Sequence, residues 1–377
     1  MKAKYEVADV FRMYGEEYKK SHAMSEEQRK VMAAIMVCRT AQLGGHQEVC
    51  NNCGTIRNSY NSCRNRHCPK CQTMTKEEWL DKRRTELLPC GYFHIVFTIP
   101  HVLNQLIRDN QRILLGCLFA AVKQTLFIFA DDPQWKLEGK PGILAILHTW
   151  SQVLIQHFHI HCLVPAGVLS HDKTKWIKSN DKFLFRVESL AKEFKKQYLT
   201  RIKKEWDQLT LPPNSDELMK EAWSKTWIVF AKKPFAGPEQ VLTYLGRYTH
   251  RIAISNHRIK AVDNNEVTFT YKARSDENKT KTMTLNAMEF IRRFLLHVLP
   301  SRFMKIRYYG FLANTNKKKS IPLIRRLIGK DMDIQVFLNE TIEEKVLRLT
   351  GHDILQCPNC KNGRMVSLGI PPALNSS

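Results

Sequence analysis

Residues 157–161 read HFHIH, three histidines at alternate positions with Phe158 and Ile160 between them. Side chains of an extended chain alternate, so His157, His159 and His161 share one face and Phe158 and Ile160 the other. The next residues, CLVPAG, form an apolar run broken at Pro165 and Gly167, the pattern of a buried strand ending in a turn. Three imidazoles converging on one point are metal-ligand chemistry. A zinc hydrolase would use three histidines plus a placed acid or base. An HxH pair with a third polar ligand can instead hold Mg²⁺ or Mn²⁺ and leave positions open for phosphate oxygens.

A second element, YLGRYTHR at 244–251, bears on that choice. In a helix Tyr244 and Tyr248 stack one turn apart, and Arg247 and Arg251 form a parallel pair beside them. YxxxY alone suits an aromatic pair packed on a core. Beside a metal site and two guanidiniums it suits phosphodiester transesterification: the phenolate attacks phosphorus while arginine holds the phosphate. A free phenol ionises near pH 10, so a nearby cation must favour the phenolate.

A third group is HQEVCNNCGTIRNSYNSCRNRHCPKC, in which Cys50-x2-Cys53 and Cys68-x2-Cys71 are separated by fourteen residues. Two such knuckles supply the four thiolates of a tetrahedral structural zinc. His46, Cys63 and His67 are further ligand candidates that spacing cannot allot. Arg64 and Arg66 in the same loop suit phosphate contacts. Cys38 reads as a small core residue. The C-terminal Cys357-Pro-Asn-Cys360, with His352 nearby, reads as a half site completed elsewhere or a tail knuckle.

Helices and strands must position these groups. SEEQRKVMAAIMVCRT (25–40) has a capping serine and one apolar face, and TKEEWLDKRRTELL (75–88) is a charged helix closed by Pro89. YFHIVFTIP (92–100) reads as a strand containing His94, and 102–130 as apolar helix. GILAILHTWSQVLIQ (142–156) reads as a helix leading into the histidine strand. Basic helix at 194–206, strand at 226–233, helix at 237–251, short strands from RIKAVD to TKTMTL and helix at 286–298 follow. Without a regular βαβ beat this is an α+β chain with a mainly antiparallel sheet and flanking helices, plus a small N-terminal zinc-binding domain. Boundaries fall at 1–88, 89–320 and a basic tail, 321–377.

The chain has 377 residues, with 59 Lys+Arg against 36 Asp+Glu, a net charge of +23. So basic a chain binds a polyanion, of which nucleic acid is the commonest, and the basic stretches at 194–204 and 316–330 suit a phosphate backbone. An anionic membrane is disfavoured, because no long amphipathic helix concentrates the charge. The apolar stretch 113–130 is interrupted by Lys123 and Gln124 and reads as a core helix. Eleven cysteines without a signal-peptide core point to a reducing, cytoplasmic compartment.

CRNRHCPKCQ, HTWSQ…HFHIHCLVPAGVLS, YLGRYTHRIAIS, EFIRRFLLHVLP and RYYGFLAN, in that order from about residue 40 to 315, resemble motifs of insertion sequence 91 type transposases. These are rolling-circle enzymes of the HUH (His-hydrophobic-His) class. The resemblance implies that Cys50, Cys53, Cys63, His67, Cys68 and Cys71 belong to a zinc-binding DNA-recognition module. It implies that His159 and His161 bind a catalytic Mg²⁺ or Mn²⁺, in an HUH-endonuclease-like fold. Tyr244 and Tyr248 would be the nucleophile positions, forming a 5′-phosphotyrosine and freeing a 3′-hydroxyl, with Tyr248 favoured because it lies in the most specific part of the motif. For the third metal ligand His157 is nearest, with Gln152 and His148 as alternatives. Phe158 stands where the family pattern has proline, which favours His157 facing the metal. The partners implied are single-stranded DNA at element ends, target DNA and, since no phosphate loop is present, a host helicase or replication machinery near the nucleoid. Two other readings use the same residues. One is a non-catalytic zinc-finger regulator derived from such an enzyme, the other a replication-initiator or relaxase-type nickase.

Overall fold

The computed structural model describes residues 3–180, 184–235, 238–248, 252–273, 276–329, 337 and 339–369. The N-terminal part holds helices α1 (Val7–Ser21) and α2 (Glu26–Met36), a hairpin of strands β1 (Gly45–Cys50) and β2 (Ile56–Tyr60), and helix α3 (Gln72–Arg84). Ser25 caps α2 as its sequence predicts. Its side chain accepts from the Gln28 amide while Gln28 Oε1 accepts from the Ser25 amide.

The middle of the chain runs through β3 (Tyr92–Thr98), α4 (Asn104–Asp109), α5 (Gln111–Asp131), β4 (Gly139–Trp150), β5 (Gln156–Pro165), β6 (Gly167–Ser170) and β7 (Trp176–Lys178). Then come α6 (Val187–Lys204), α7 (Ser215–Ser224), β8 (Ile228–Phe235) and α8 (Pro238–Tyr248). A three-stranded meander follows, β9 (Ile259–Asp263), β10 (Glu266–Ala273) and β11 (Lys279–Asn286), and then α9 (Ala287–Leu295) and β12 (Ile306–Gly310). The chain ends in α10 (Lys317–Ile328), α11 (Ile342–Thr350) and β13 (Met365–Gly369).

The central sheet has the order β7-β6-β4-β5-β3-β8, with β12 also paired to β4, and its pairings are antiparallel. The α+β architecture expected from sequence is therefore present. The stretch 142–156 is the exception, because most of it is strand β4 rather than helix. Its residues are buried on both faces, so the run is continuously apolar and carries no period-two signature.

Alternation along β4 and β5 divides the two sides of this sheet. Ile143, Ala145 and Leu147 of β4, with Phe158, Ile160, Cys162 and Val164 of β5, pack with α5 and α6 in the largest core. Leu144, Ile146 and Leu163 point the other way, into a core shared with Leu80 of α3, Val241 and Leu245 of α8, and Ile321 and Ile324 of α10. The apolar helix Gln111–Asp131 is long enough to cross a membrane, yet Leu114, Leu115, Leu118, Phe119 and Val122 are fully buried against the sheet. A third core joins α1, α2 and α9 to the β9–β11 meander.

Candidate functional site

The histidines lie on the sheet face covered by α8. His159 and His161 project from β5, and β4 supplies a third imidazole, because the register pairs His148 directly with His159 and Ile146 with His161. One ring nitrogen from each of His148, His159 and His161 lies within 4.8 Å of the other two, and all three residues are buried. His157 shares the face but falls outside this group. Its ring lies 4.8 Å from that of His159 and 5.3 Å from that of His101. Of the candidates for a third ligand, it is therefore the alternative His148 that stands in the group and not His157, and the place of His148 depends on 142–150 being a strand. Gln152 lies in the turn beyond β4, where its carbonyl accepts from the Arg258 guanidinium.

Behind the trio, β3 contributes His94, whose Nε2 is 2.9 Å from Nδ1 of His161. Burial, aided by the Lys232 cation, pulls His94 down to about 3, so its ring is neutral. Sequence reasoning had set His94 aside as an ordinary sheet histidine. Only the β3–β5 pairing brings it beside His161. Tyr244 of α8 descends onto the same pair, with its hydroxyl 3.2 Å from His161 Nδ1 and its ring 4.4 Å from that of His94. The tyrosine is 8% exposed, so its phenol is held against imidazoles rather than in water. Tyr248 is the last residue of α8, one turn beyond Tyr244. Its side chain and that of Arg247, together with all of Arg251, lie outside the described residues.

The cysteines form two groups of four rather than one. Cys38, Cys63, Cys68 and Cys71 converge, with Sγ separations of 3.6 Å for both Cys38–Cys71 and Cys63–Cys71. Cys50 and Cys53 instead join Cys357 and Cys360 of the tail, at 3.7 Å for Cys50–Cys360 and Cys53–Cys357. The expected Cys50, Cys53, Cys68, Cys71 quartet fails for a simple reason. Cys50 and Cys53 flank the tip of the β1–β2 hairpin while Cys63 follows its base, and a five-residue strand spans roughly 17 Å. Cys38, read as core, is a member of the first group, and Cys357-x2-Cys360 is the second half of the other.

His46 and His67 belong to neither group. His46 sits on β1 with its ring 3.6 Å from Glu48. His67 is half-buried beside Arg66 and Lys305, and desolvation lowers it to about 3. Arg66 also departs from expectation, because its guanidinium donates to the carbonyls of Leu299, Pro300 and Phe303 and braces that segment. Arg64 is exposed, with a left-handed backbone at φ 51°. Lys318, Lys319 and Arg326 of α10 are exposed on the side of the sheet that carries the histidines, whereas the exposed lysines of α6 lie on the opposite side.

Comparison with known proteins places these features in a familiar setting. Residues 142–320 match a family described as "Putative transposase", and residues 10–99 match the "Transposase zinc-binding domain" named for insertion sequence 91. The chain is 44% identical over 97% of its length to "Putative transposase y4qJ" of Sinorhizobium fredii, covering 95% of that protein. It is 29% identical over 78% of its length to "Transposase for insertion sequence element IS801" of Pseudomonas savastanoi pv. phaseolicola, covering 72% of it. No solved structure matches the chain. The zinc-binding match and the clustered cysteines support a structural zinc in the N-terminal part.

Proposed function

The chain belongs to the insertion sequence 91 family of transposases, and from that premise we propose that it cuts and rejoins single DNA strands through a phosphotyrosine at the His148–His159–His161 site. The observation that carries this reading is the docking of Tyr244 against His161 in a group of three convergent imidazoles. The donor set fits a divalent cation: three buried imidazoles converge, and His161 can give its Nδ1 proton to neutral His94, leaving Nε2 as an electron-pair donor. When bound, such a cation would withdraw charge from the non-bridging oxygens of the scissile phosphate.

The protein's own groups do the rest. A tyrosine of α8, Tyr244 or Tyr248, gives up its phenolic proton and attacks phosphorus. The new bond joins the phenolic oxygen to the 5′-phosphate, while the P–O3′ bond breaks and the 3′-oxygen leaves with a proton. The ester stores the energy of the broken linkage, so a second 3′-hydroxyl can displace tyrosine without ATP. Arg247 and Arg251 are the proposed phosphate clamps, with Arg64 and the exposed α10 cations following the backbone. Cys38, Cys63, Cys68 and Cys71 are the proposed ligands of the N-terminal zinc, whose module would recognise DNA.

The test is a covalent-adduct assay. Full-length protein is incubated with labelled single-stranded DNA from an element end, with Mn²⁺ or with EDTA, and resolved on denaturing gels beside Tyr244→Phe, Tyr248→Phe and the double variant. The reading predicts a metal-dependent adduct that the double variant abolishes, and the single variants identify the attacking phenol. DNA binding without an adduct would leave a zinc-finger regulator in its place.

A further inference from the structure

Residues 10–99 match the zinc-binding domain, yet two of its cysteines, Cys50 and Cys53, find their partners more than 300 positions away. We propose that Cys50, Cys53, Cys357 and Cys360 form a second structural zinc site that joins the two ends of the chain and latches the C-terminal arm against α3. The inference is independent of the strand-transfer reading, because it requires no catalysis.

Geometry is the first argument. A tetrahedral zinc with Zn–S bonds near 2.3 Å sets its sulfurs about 3.8 Å apart. The measured Sγ separations of 3.7 Å across the two knuckles are close to that value, with the four thiols within 4.8 Å of one another.

The surrounding backbone is the second. The amides of Asn52 and Cys53 both point at Cys50 Sγ from 3.4 Å, and the Gly363 amide points at Cys360 Sγ from 3.3 Å. Amides aimed at sulfur favour the thiolate, the form that binds metal. The knuckles also bond to one another: Asn51 N–H donates to the Arg364 carbonyl, the Arg364 N–H to Asn51 Oδ1, and Asn359 Nδ2 to Thr55 Oγ1. A Cβ on Gly363 would stand 2.4 Å from Cys50 Sγ, so this approach requires glycine.

The third argument is what this lobe lacks. Strand β13 pairs with β1 and completes a small β13-β1-β2 sheet, but the core beneath it is Cys50, Cys357 and Met365, with Cys360 packed against them. Val366 and Leu368 of β13 are exposed. So few apolar groups cannot offset the ordering of three strands, and a metal supplies the missing free energy.

The consequence reaches α8. Between α10 and the tail knuckle, α11 places Lys345 and Arg348 at 3.1 and 3.2 Å from Asp81 of α3. Helix α3 in turn packs on α8, where Leu80 Cδ1 would lie 3.2 Å from a Cβ built on Gly246, two residues past Tyr244. Zinc at the chain ends therefore fixes the arm that buttresses the tyrosine helix.

Zinc content of the purified full-length chain tests this, read by native mass spectrometry and by elemental analysis. Two zinc ions per wild-type chain are expected, with one in Cys357→Ser/Cys360→Ser and one in Cys38→Ser. Because the tail substitutions lie outside the main cores, the double variant should still take up one Co²⁺ with the intense absorption of a four-thiolate site, where wild type takes up two. Protease should remove the tail of this variant first. A zinc content that does not fall when Cys357 and Cys360 are lost would overturn the proposal.

Discussion

His148 and His159 face one another across the β4–β5 ladder, in the register that sets Ile146 opposite His161. A cross-strand pair on one sheet face brings side chains to about 5 Å, so the third imidazole comes from the neighbouring strand and not from further along the same one. His148→Ala should therefore lower Mn²⁺ affinity and adduct yield by about 100-fold or more, and His159→Ala and His161→Ala should do the same. His157→Ala should change either by less than about threefold. Manganese titration by electron paramagnetic resonance measures the first quantity and denaturing gels the second. Loss in His157→Ala with retention in His148→Ala would reverse the assignment.

An all-imidazole donor set also has a preference among cations. Magnesium favours oxygen ligands and gives up its water reluctantly, whereas manganese accepts nitrogen more readily. Adduct formation at equal, sub-saturating metal should be about tenfold greater with Mn²⁺ than with Mg²⁺. Equal rates would mean that an oxygen ligand from outside the trio dominates the site.

His94 touches His161 at Nδ1 and is not itself one of the trio, so it is a positioning residue and its effect runs through the ligand it orients. His94→Ala should weaken Mn²⁺ binding by about 10- to 100-fold. His94→Gln, which returns an acceptor oxygen near the position of Nε2, should recover part of that loss. If Ala and Gln weaken binding equally while thermal stability falls in parallel, His94 serves packing alone.

How much of this was legible in the sequence follows from the period of each signal. The alternation in HFHIH puts His159 and His161 on one face, and the i, i+4 spacing of Tyr244 and Tyr248 is that of the helix α8 that carries them, because both patterns are local. His148 was legible only as one alternative among three, and His94 not at all. They join through strand pairings, and β4 is buried on both faces, so its apolar run resembles a helix. The cysteines failed differently. Spacing picks out each CxxC pair, but the cysteines that Cys50-x2-Cys53 meets lie more than 300 positions away, and no spacing rule spans that distance.

Two arginines from one loop should separate in a pair of simple measurements. Arg66→Ala removes the donor for three carbonyls in 299–303 and should cost about 2–4 kcal/mol of stability in chemical denaturation. Its effect on the salt dependence of DNA binding should be small. Arg64 is exposed, so Arg64→Ala should leave stability within about 0.5 kcal/mol and reduce the logarithmic salt slope by about 1. An unchanged slope would remove Arg64 from the DNA interface.

Asp81 of α3 is 3% exposed and faces the arm, forming ion pairs with Lys345 and Arg348. Asp81→Asn keeps the volume and removes the charge, leaving two cations in a half-buried contact without their partner. Arg348 retains Glu340 at 2.7 Å, so the cost falls below that of stranding a fully buried charge, about 2–3 kcal/mol. Hydrogen exchange should locate that cost. If zinc holds the tail knuckle separately, amides of 342–350 should lose protection while those of 357–369 keep it, because the arm is fastened at two independent points. Loss of protection in both segments together would mean that Asp81 is the main fastening and the cysteines follow it.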